Sequence, residues 1–423
     1  MSDAVTAALL LSPTVLTGAA LLWGFRPLPL VGALLKRYRW IAAVFVALIA
    51  LSVAMGAALI AQERALREGS ARAAEKFDMV IAAPGSELTL MFATVFLQPS
   101  NVPLLDGFIF NEIAAREDVE IAAPLAFGDS YQGAPLVGTT PEFLVHLANG
   151  EIEGRLFQAP LEGVAGAALN LEIGHTFAPA HGVGESAEEG LHGDEYTIVG
   201  RMAPTGSPWD RAIIVPVEGV WQTHGLSDGK RSADAPVGPP FVSELFPGTP
   251  AIIVRMDRLP DLYSLRAELN AREDTMAFFP GTVLSGLYSV MGDIRDAMSF
   301  MALVTQVLVA VAVLTGLFIL TQLFRRQLTL LHVLGAPRRF VVGVLWSFAT
   351  VLLVAGVILG LVLGAGATSI LSSIVSERID VLVTARFSWP ELHLAAGFLS
   401  LSSVLAALVG LASPRGTAEA LRD

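Results

Sequence analysis

The segment from residue 298 to residue 367 constrains the fold of this chain more than any other. It consists of two long apolar runs, Met298–Leu323 and Phe340–Ala367, and neither contains a charged residue. Each run is long enough to cross a lipid bilayer as an α-helix. The connection between them carries four arginines and no acidic residue, and by the positive-inside rule such a connection lies in the cytoplasm. The segment therefore predicts a membrane hairpin whose turn faces the cytoplasm.

Three further apolar stretches predict membrane helices. Trp40–Ala61 is 22 residues long, which is about 33 Å as a helix, and Leu392–Ala412 is similar in character. Ala4–Phe25 contains Pro13, so it is either an additional span with the amino terminus outside or an interfacial helix broken at the proline. The basic residues that follow it, up to Arg39, indicate a cytoplasmic loop.

The region 63–297 has the composition of a water-soluble domain. It carries 33 acidic and 15 basic residues, a net charge of −18, whereas the whole chain has a net charge of −12. Such an acidic region argues against nucleic acid as a partner, because binding to phosphates requires basic surface. Alternating strand and helix patterns predict an α+β fold. Between Val119 and Gly138 we expect two strands joined by a turn at Gly128–Asp129, and at Val217–Thr223 we expect a helix.

These predictions combine into one architecture. We expect a membrane protein with an α-helical transmembrane bundle of four spans, an additional N-terminal span and one large α+β extracytoplasmic domain. The chain has no cysteine, which excludes disulfides and thiolate metal sites. The predicted boundaries are 1–39 for the apolar segment and its basic loop, 40–62 for a span, 63–297 for the domain, 298–323 for a span, 324–339 for the cytoplasmic connection, 340–368 for a span, 369–391 for an outer loop, 392–412 for the last span and 413–423 for a cytoplasmic tail.

Two sequence motifs resemble a known family. Residues 326–336 read RQLTLLHVLGA and are similar to the pattern Arg-Glu-Ile-Ala-Leu-Leu-Arg-Ala-Leu-Gly-Ala of FtsX-like permease subunits of ABC transporters, a group that includes MacB and the lipoprotein-releasing permeases. Gln327 and His332 stand where the family often has Glu and Arg. The tail 414–422, PRGTAEALR, resembles the family's terminal Pro-Ala-Glu-Ala-Leu-Arg. Residues 66–69, followed by 77–96, resemble the start of a MacB-like periplasmic domain.

The resemblance implies a permease subunit in a bacterial inner membrane, with its large domain in the periplasm. It implies that the 324–339 connection contains a coupling helix that docks on a separate cytoplasmic ATPase, which binds ATP and Mg²⁺. It further implies a second permease copy, identical or related, a periplasmic partner protein and contacts with membrane lipid. The coupling residues would be Arg325, Arg326, Gln327, Leu328, Leu331, Leu334, Gly335, Ala336, Arg338 and Arg339.

Motifs that would give this chain a chemistry of its own are absent from the sequence. There is no GxxxxGK[ST] nucleotide-binding motif and no HExxH zinc motif. We therefore expect a transport subunit without an ATPase site, a catalytic residue or a cofactor of its own. Gly356, Gly360 and Gly364 form a small-residue face, which suits either dimerisation or packing against a neighbouring span.

Histidines supply the remaining candidates for a site. His181 and His192 lie in one acidic, flexible loop and could bind a divalent metal such as zinc. A solvated acidic loop without metal explains the same pattern. We expect His175 and His224 to be ordinary residues of the domain.

The leading hypothesis is ATP-driven export or extraction of a lipid, peptide or lipoprotein, in which the chain transmits motion from the ATPase to its periplasmic domain. One alternative is a transmembrane regulator that controls a periplasmic enzyme without moving a substrate. Another is the permease of a metal-linked uptake system, which rests on His181 and His192 alone. Release of a substrate from the reconstituted complex on addition of ATP distinguishes transport from regulation.

Overall fold

The computed structural model of this chain describes residues 2–98, 100–182, 193–232, 234–323, 334–379 and 386–412. The chain divides into two compact units. The helical unit comprises Met1–Leu66, Gly292–Ile374 and Thr384–Asp423, and the α+β domain comprises Arg67–Met291 and Val375–Val383. The predicted class, a helical membrane protein with a separate α+β domain, is confirmed.

The described α-helices include several that are long and apolar. In chain order the helices are α1 (Asp3–Leu22), α2 (Leu28–Arg37), α3 (Arg39–Ala74), α4 (Glu87–Thr94), α5 (Gly107–Ala114), α6 (Pro141–Leu147), α7 (Val217–Thr223), α8 (Leu259–Asn270), α9 (Pro280–Leu323), α10 (Arg338–Ile379) and α11 (Trp389–Ala412). Within the described residues, α1, α3, α10 and α11 are long and apolar enough to cross a membrane. The predicted span 298–323 falls within α9, where Leu303–Ala312 is described as a shorter apolar stretch.

The amino-terminal apolar stretch forms one continuous helix. α1 runs through Pro13 without ending there, and it packs along α11 in the helical unit. Gly18 permits a close approach, because a Cβ atom at this position would lie 2.8 Å from the ring of Trp346. The indole of Trp346 in turn donates a hydrogen bond of 3.1 Å to the carbonyl oxygen of Ser403.

The basic loop predicted after α1 contains a helix that the sequence analysis did not predict. This helix, α2, follows Pro27, and proline is favoured at the start of helices because its φ is already helical. Val31 is buried in the core of the helical unit, and Leu34 packs against that core. Lys36 and Arg37 occupy the last turn, where positive charge interacts favourably with the helix dipole.

The described residues of the α+β domain form two sheets. Its described strands are β1 (Met79–Ala82), β2 (Val119–Pro124), β3 (Ala126–Tyr131), β4 (Ala134–Thr139), β5 (Ile152–Gly154), β6 (Glu162–Ala165), β7 (Thr176–Phe177), β8 (Ala180–His181), β9 (Tyr196–Met202), β10 (Ile213–Pro216), β11 (Ile252–Met256) and β12 (Met276–Phe278). The smaller sheet has the order β12-β1-β11-β2. The larger has the order β5-β9-β6-β10-β4-β3-β8, with β7 also paired to β9.

The first strand of the domain lies between its last two. β1 is antiparallel to both β11 and β12, with Val80 opposite Ile253 on one side and Phe278 on the other. All four residues of β1 are buried, which accounts for its uninterrupted apolar sequence. In the larger sheet, β10 leads directly into α7, so the helix predicted at Val217–Thr223 is confirmed.

The turn predicted at Gly128–Asp129 is wrong. β3 continues through both residues, and its register with β4 shifts there in a β-bulge. The chain reverses instead at Gln132 and Gly133, whose φ angles are 51° and 83°. Positive φ at both central residues is the geometry of a two-residue type I′ hairpin turn. The glycine at position 128 therefore serves a bulge, where glycine is also common.

Candidate functional site

The predicted coupling segment lies partly within the described residues. Five of its members lie outside them: Arg325, Arg326, Gln327, Leu328 and Leu331. The other five are described: Leu334, Gly335, Ala336, Arg338 and Arg339.

The described end of this segment combines an exposed apolar side chain with a sharp change of backbone direction. Leu334 is 82% exposed. Gly335 has a φ of 90°, in the left-handed region that glycine adopts without steric cost. After Pro337 the chain enters α10, and the backbone N–H of Phe340 donates to the Pro337 carbonyl at 2.9 Å. The segment thus presents Leu334 to its surroundings just before the membrane helix begins.

Two arginines at the start of α10 bind the carboxyl ends of two other helices. Arg338 donates from Nη2 to the carbonyl oxygen of Leu411 in the last turn of α11. Arg339 donates from Nη2 to the carbonyl oxygen of Ala20 in the last turn of α1, at 3.2 Å. The last carbonyls of a helix have no partner within it and carry partial negative charge, so a guanidinium stabilises them. Both side chains are therefore engaged inside the helical unit.

A different set of polar contacts holds the opposite end of the helical unit. Nη1 of Arg64 lies 2.8 Å from Oε1 of Glu391, in the first turn of α11. Nε2 of His393 lies 3.0 Å from the carbonyl oxygen of Asp3, the first residue of α1. The amino ends of α1 and α11 therefore share one end of the unit. Residues 334–339 lie at the other end, with the carboxyl ends of the same two helices.

The glycines of α10 face α3. A Cβ atom at Gly356 would lie 2.6 Å from Cβ of Ile49, and one at Gly360 would lie 2.7 Å from the carbonyl oxygen of Ala50. A Cβ atom at Gly364 would also approach the backbone of α3 closely. Because these positions lack side chains, the two helices pack backbone to backbone. Of the two uses that the sequence left open for this face, the structure shows packing against a helix of the same chain.

His181 belongs to a cluster that the sequence analysis did not anticipate. It lies at the end of β8, directly opposite Asp129 of β3, and its Nδ1 is 3.3 Å from Oδ1 of Asp129. His224, immediately after α7, approaches the same oxygen with Nε2 at 3.5 Å. One potential ligand atom from each of the three residues lies within 4.8 Å of the other two. His192, the second predicted candidate, lies outside the described residues.

The surroundings of this cluster fix the orientation of the His224 ring. The side chain of Asp129 is fully buried, whereas that of His224 is 28% exposed. The hydrogen bond with the Asp129 carboxylate raises the pKa of His224, against the opposing effect of burial. Nδ1 of His224 lies 2.8 Å from the carbonyl oxygen of Val220. Because a carbonyl oxygen only accepts, Nδ1 carries the hydrogen, and Nε2 is the nitrogen that faces Asp129.

A cavity of about 640 Å³ opens beside the cluster. His224 forms part of its wall, together with Gly128 and Gly182, which adjoin the other two members of the cluster. Much of the remaining wall is apolar and includes Leu104 and Trp221. A largely apolar cavity with a few convergent polar groups is the usual form of a small-molecule site.

Asp129 and His224 were missed because no local spacing joins them to His181. The three residues lie on β3, after α7 and on β8, so only the fold brings them together. One local signal was available. Asp129 lies within a strand, where aspartate is depleted, and such a residue often serves a specific contact.

Comparisons with known proteins give a distant structural likeness. No protein-family model matches this chain, and no curated protein matches it. Among solved structures, the chain is similar to the extracellular domain of the noncanonic ABC-type transporter YknZ from Gram-positive bacteria. The identity is 12% and the TM-score 0.28, and the match covers 47% of this chain and 98% of that domain.

Proposed function

We propose that this chain is the permease subunit of an ABC transporter of the MacB, FtsX and lipoprotein-release type. The observation that carries the proposal is the motif at 326–336, which lies in a basic connection between two charge-free runs. The described part of this connection, residues 334–339, lies where α1 and α11 end. The exposed side chain of Leu334 offers the apolar contact that a helix-in-groove interface needs.

Basic residues support a cytoplasmic position for this end of the helical unit. Arg338 and Arg339 begin α10, and Lys36 and Arg37 end α2. Positive side chains beside membrane helices favour the cytoplasmic side. In the proposal, the acidic α+β domain accordingly lies outside, in the periplasm of a bacterial inner membrane.

The energy comes from a second polypeptide in this proposal. ATP and Mg²⁺ bind to a separate cytoplasmic ATPase, because the chain has no P-loop. Two permease subunits, identical or related, pair with two ATPase subunits. ATP-driven closure moves the 324–339 segment, and the flanking helices transmit the movement to the α+β domain. The work performed is the export or extraction of a lipid, peptide or lipoprotein.

The test is co-expression of the full chain with each ABC ATPase of its own genome, followed by measurement of ATP turnover in lipid nanodiscs. Leu334→Asp places a charge at an apolar contact while leaving the fold intact, since the residue is exposed. We expect this variant to reduce permease-dependent ATP turnover roughly tenfold or more, which is the effect of replacing a residue at the centre of an interface. Arg325→Glu with Arg326→Glu should act in the same direction.

Leu259→Asp is the matched control, because Leu259 is 71% exposed and lies in the α+β domain. It should keep the turnover of the wild-type chain. All variants are compared by size-exclusion chromatography to verify that they remain folded. If Leu334→Asp stimulates the ATPase as well as the wild-type chain does, the coupling segment has been assigned incorrectly.

A further inference from the structure

We propose that Asp129, His181 and His224 form a binding site for a divalent transition-metal ion, with zinc as the ion that suits the three ligands. The site lies within the α+β domain and is independent of the proposed coupling to an ATPase. Two imidazoles and one carboxylate are ligands that zinc and its neighbours in the first transition series accept, whereas Ca²⁺ and Mg²⁺ prefer oxygen ligands alone.

Two of the three distances between the ligand atoms match those around a tetrahedral ion, and the third, between the two histidine nitrogens, is at most 4.8 Å. Nδ1 of His181 and Nε2 of His224 lie 3.3 Å and 3.5 Å from the same Asp129 oxygen. Two ligands of a tetrahedral zinc ion with bonds of about 2.0–2.1 Å are separated by about 3.3 Å. Charge-assisted N–H···O hydrogen bonds are shorter, about 2.7–2.9 Å. The observed separations are longer than that and match two ligands of one ion.

The hydrogen bond at the far side of His224 supports this assignment. Nδ1 donates to the Val220 carbonyl, so in the neutral imidazole the lone pair is on Nε2 and points at the buried carboxylate of Asp129. Histidine ligands of metal ions commonly donate their other N–H to a backbone carbonyl, which fixes the ring and its tautomer.

The backbone holds the ligands in place before any ion binds. Asp129 and His181 are directly opposed across β3 and β8, so their side chains leave the same face of the sheet. Two hydrogen bonds also join these strands. The N–H of Gly182 donates to the Gly128 carbonyl at 2.7 Å, and Oγ of Ser130 donates to the Gly182 carbonyl at 2.6 Å. A preorganised ligand set of this kind loses little entropy on binding.

The three ligands found among the described residues leave a fourth position of a tetrahedral ion for another group. His224, Gly128 and Gly182 all line the cavity of about 640 Å³, so that position would be accessible to water or to a small ligand from the cavity. The ion would also join β3, β8 and the end of α7, three elements that are distant in sequence.

The experiment uses the full chain in detergent, purified without a polyhistidine tag, treated with EDTA and then freed of the chelator. Zn²⁺ is titrated by calorimetry, and Co²⁺ is added in parallel because its visible spectrum reports tetrahedral coordination. His181→Ala and His224→Ala test the ligands, since both side chains are partly exposed. His175→Ala is the matched control, a histidine of the same domain that contacts Tyr131 instead. His192→Ala tests the alternative position in the acidic loop.

We expect the wild-type chain, His175→Ala and His192→Ala to bind one Zn²⁺ per chain. His181→Ala and His224→Ala should bind it at least tenfold more weakly and lose the tetrahedral cobalt spectrum. Zn²⁺ should raise the melting temperature of the wild-type chain and leave that of His224→Ala unchanged, because a ligand stabilises only the state that binds it. The proposal is overturned if the wild-type chain shows no saturable binding. It is equally overturned if His224→Ala binds as tightly as the wild-type chain, or if only His192→Ala loses the ion.

Discussion

Arg64 and Glu391 form an ion pair that joins α3 to the first turn of α11. Nη1 of Arg64 lies 2.8 Å from Oε1 of Glu391, whose side chain is fully buried. The other carboxylate oxygen accepts a hydrogen bond of 2.8 Å from the backbone N–H of Ser388. A glutamate that returns to the N–H preceding its own helix is half of a capping box. One buried side chain thus starts α11 and attaches it to α3.

Replacing Glu391 with glutamine should destabilise the helical unit. Glutamine can still accept a hydrogen bond at the start of α11, but the positive charge of Arg64 then has no opposite charge at Glu391. Removing one partner of a fully buried ion pair costs about 3–5 kcal/mol. We expect about 2–3 kcal/mol here, because the Arg64 side chain remains 22% exposed. Thermal unfolding in detergent, followed by circular dichroism, measures the change.

The control is an ion pair on the surface of the α+β domain. Arg272 and Glu112 lie 2.9 Å apart, with side chains 31% and 50% exposed. Arg272→Met also removes the exposed pair with Asp274, and it should still change the stability by less than about 1 kcal/mol, as is usual for exposed pairs. Equal effects of Glu391→Gln and Arg272→Met would contradict the structural role given to the buried pair.

Replacement by alanine should have different effects on stability at two glycines of α10. Gly360→Ala introduces a Cβ atom 2.7 Å from the Ala50 carbonyl oxygen and 2.8 Å from Cβ of Val53, so α3 and α10 must separate. Overpacking of this kind costs about 1–3 kcal/mol. Gly366→Ala meets no atom within 4 Å and should be neutral or stabilising by up to about 1 kcal/mol, because alanine favours the helix.

Both variants are compared with the wild-type chain by melting temperature and by the amount of monodisperse protein recovered from membranes. A lower melting temperature for Gly366→Ala than for Gly360→Ala would show that α10 does not pack on α3 through the face described here.

His146 should make the α+β domain less stable in weak acid. Its Nδ1 accepts a hydrogen bond of 2.8 Å from Nη1 of Arg255, and its Nε2 donates to the Lys76 carbonyl at 3.1 Å. Burial, and then the charge of Arg255, lower the pKa of His146 from 6.5. The unfolded chain therefore takes up this proton first as the pH falls. Stability from this residue is complete above about pH 6.5 and is lost below it, with a slope of at most about 1.4 kcal/mol per pH unit.

His146→Asn keeps an acceptor for Arg255 and cannot be protonated. Melting temperatures of the wild-type chain and this variant are measured from pH 7.5 to pH 5 in the presence of EDTA. We expect the wild-type curve to fall more steeply below pH 6.5. Parallel curves would mean that His146 is not held neutral by its neighbours.

The hairpin between β3 and β4 should become more stable when its turn carries the residues that a type I′ turn prefers. Gln132 and Gly133 both have positive φ, and asparagine followed by glycine is the preferred pair for a type I′ turn. Gln132→Asn should therefore raise stability by a few tenths of a kcal/mol, whereas Gly133→Ala should lower it by about 1 kcal/mol. Hydrogen exchange of the β3 and β4 amides reports the change locally. An increase in protection for Gly133→Ala would contradict the assigned turn.

The membrane helices could be predicted because lipid imposes one simple requirement. A backbone in the bilayer must satisfy its own hydrogen bonds, and an α-helix does so within one segment. A long apolar run without charges is the sequence that places such a helix in lipid. The good helix formers at 62–68 also predict that the helix spanning 40–62 continues into water. The structure confirms this, and α3 runs to Ala74. α2 was missed because its ten residues are too few to span the membrane.

The candidate site could be predicted only in part, for a different reason. Histidine and carboxylate near each other in sequence suggested His181 with His192, whereas the fold opposes His181 to Asp129 across two strands. The short strand that does this, β8, has two residues and no periodicity to detect. The turn was misplaced for a related reason, since the same Gly-Asp pair that predicts a turn also suits a bulge.

The position of β1 between β11 and β12 has a consequence for how the domain is made. The strand is synthesised near the beginning of the domain, but the residues that pair with it are synthesised near its end. Such long-range pairing slows folding, and an apolar strand can associate with other chains until its own partner strands are made. A chain that terminates before residue 276 would therefore have an open sheet edge beside β1, and it would not form a smaller stable domain.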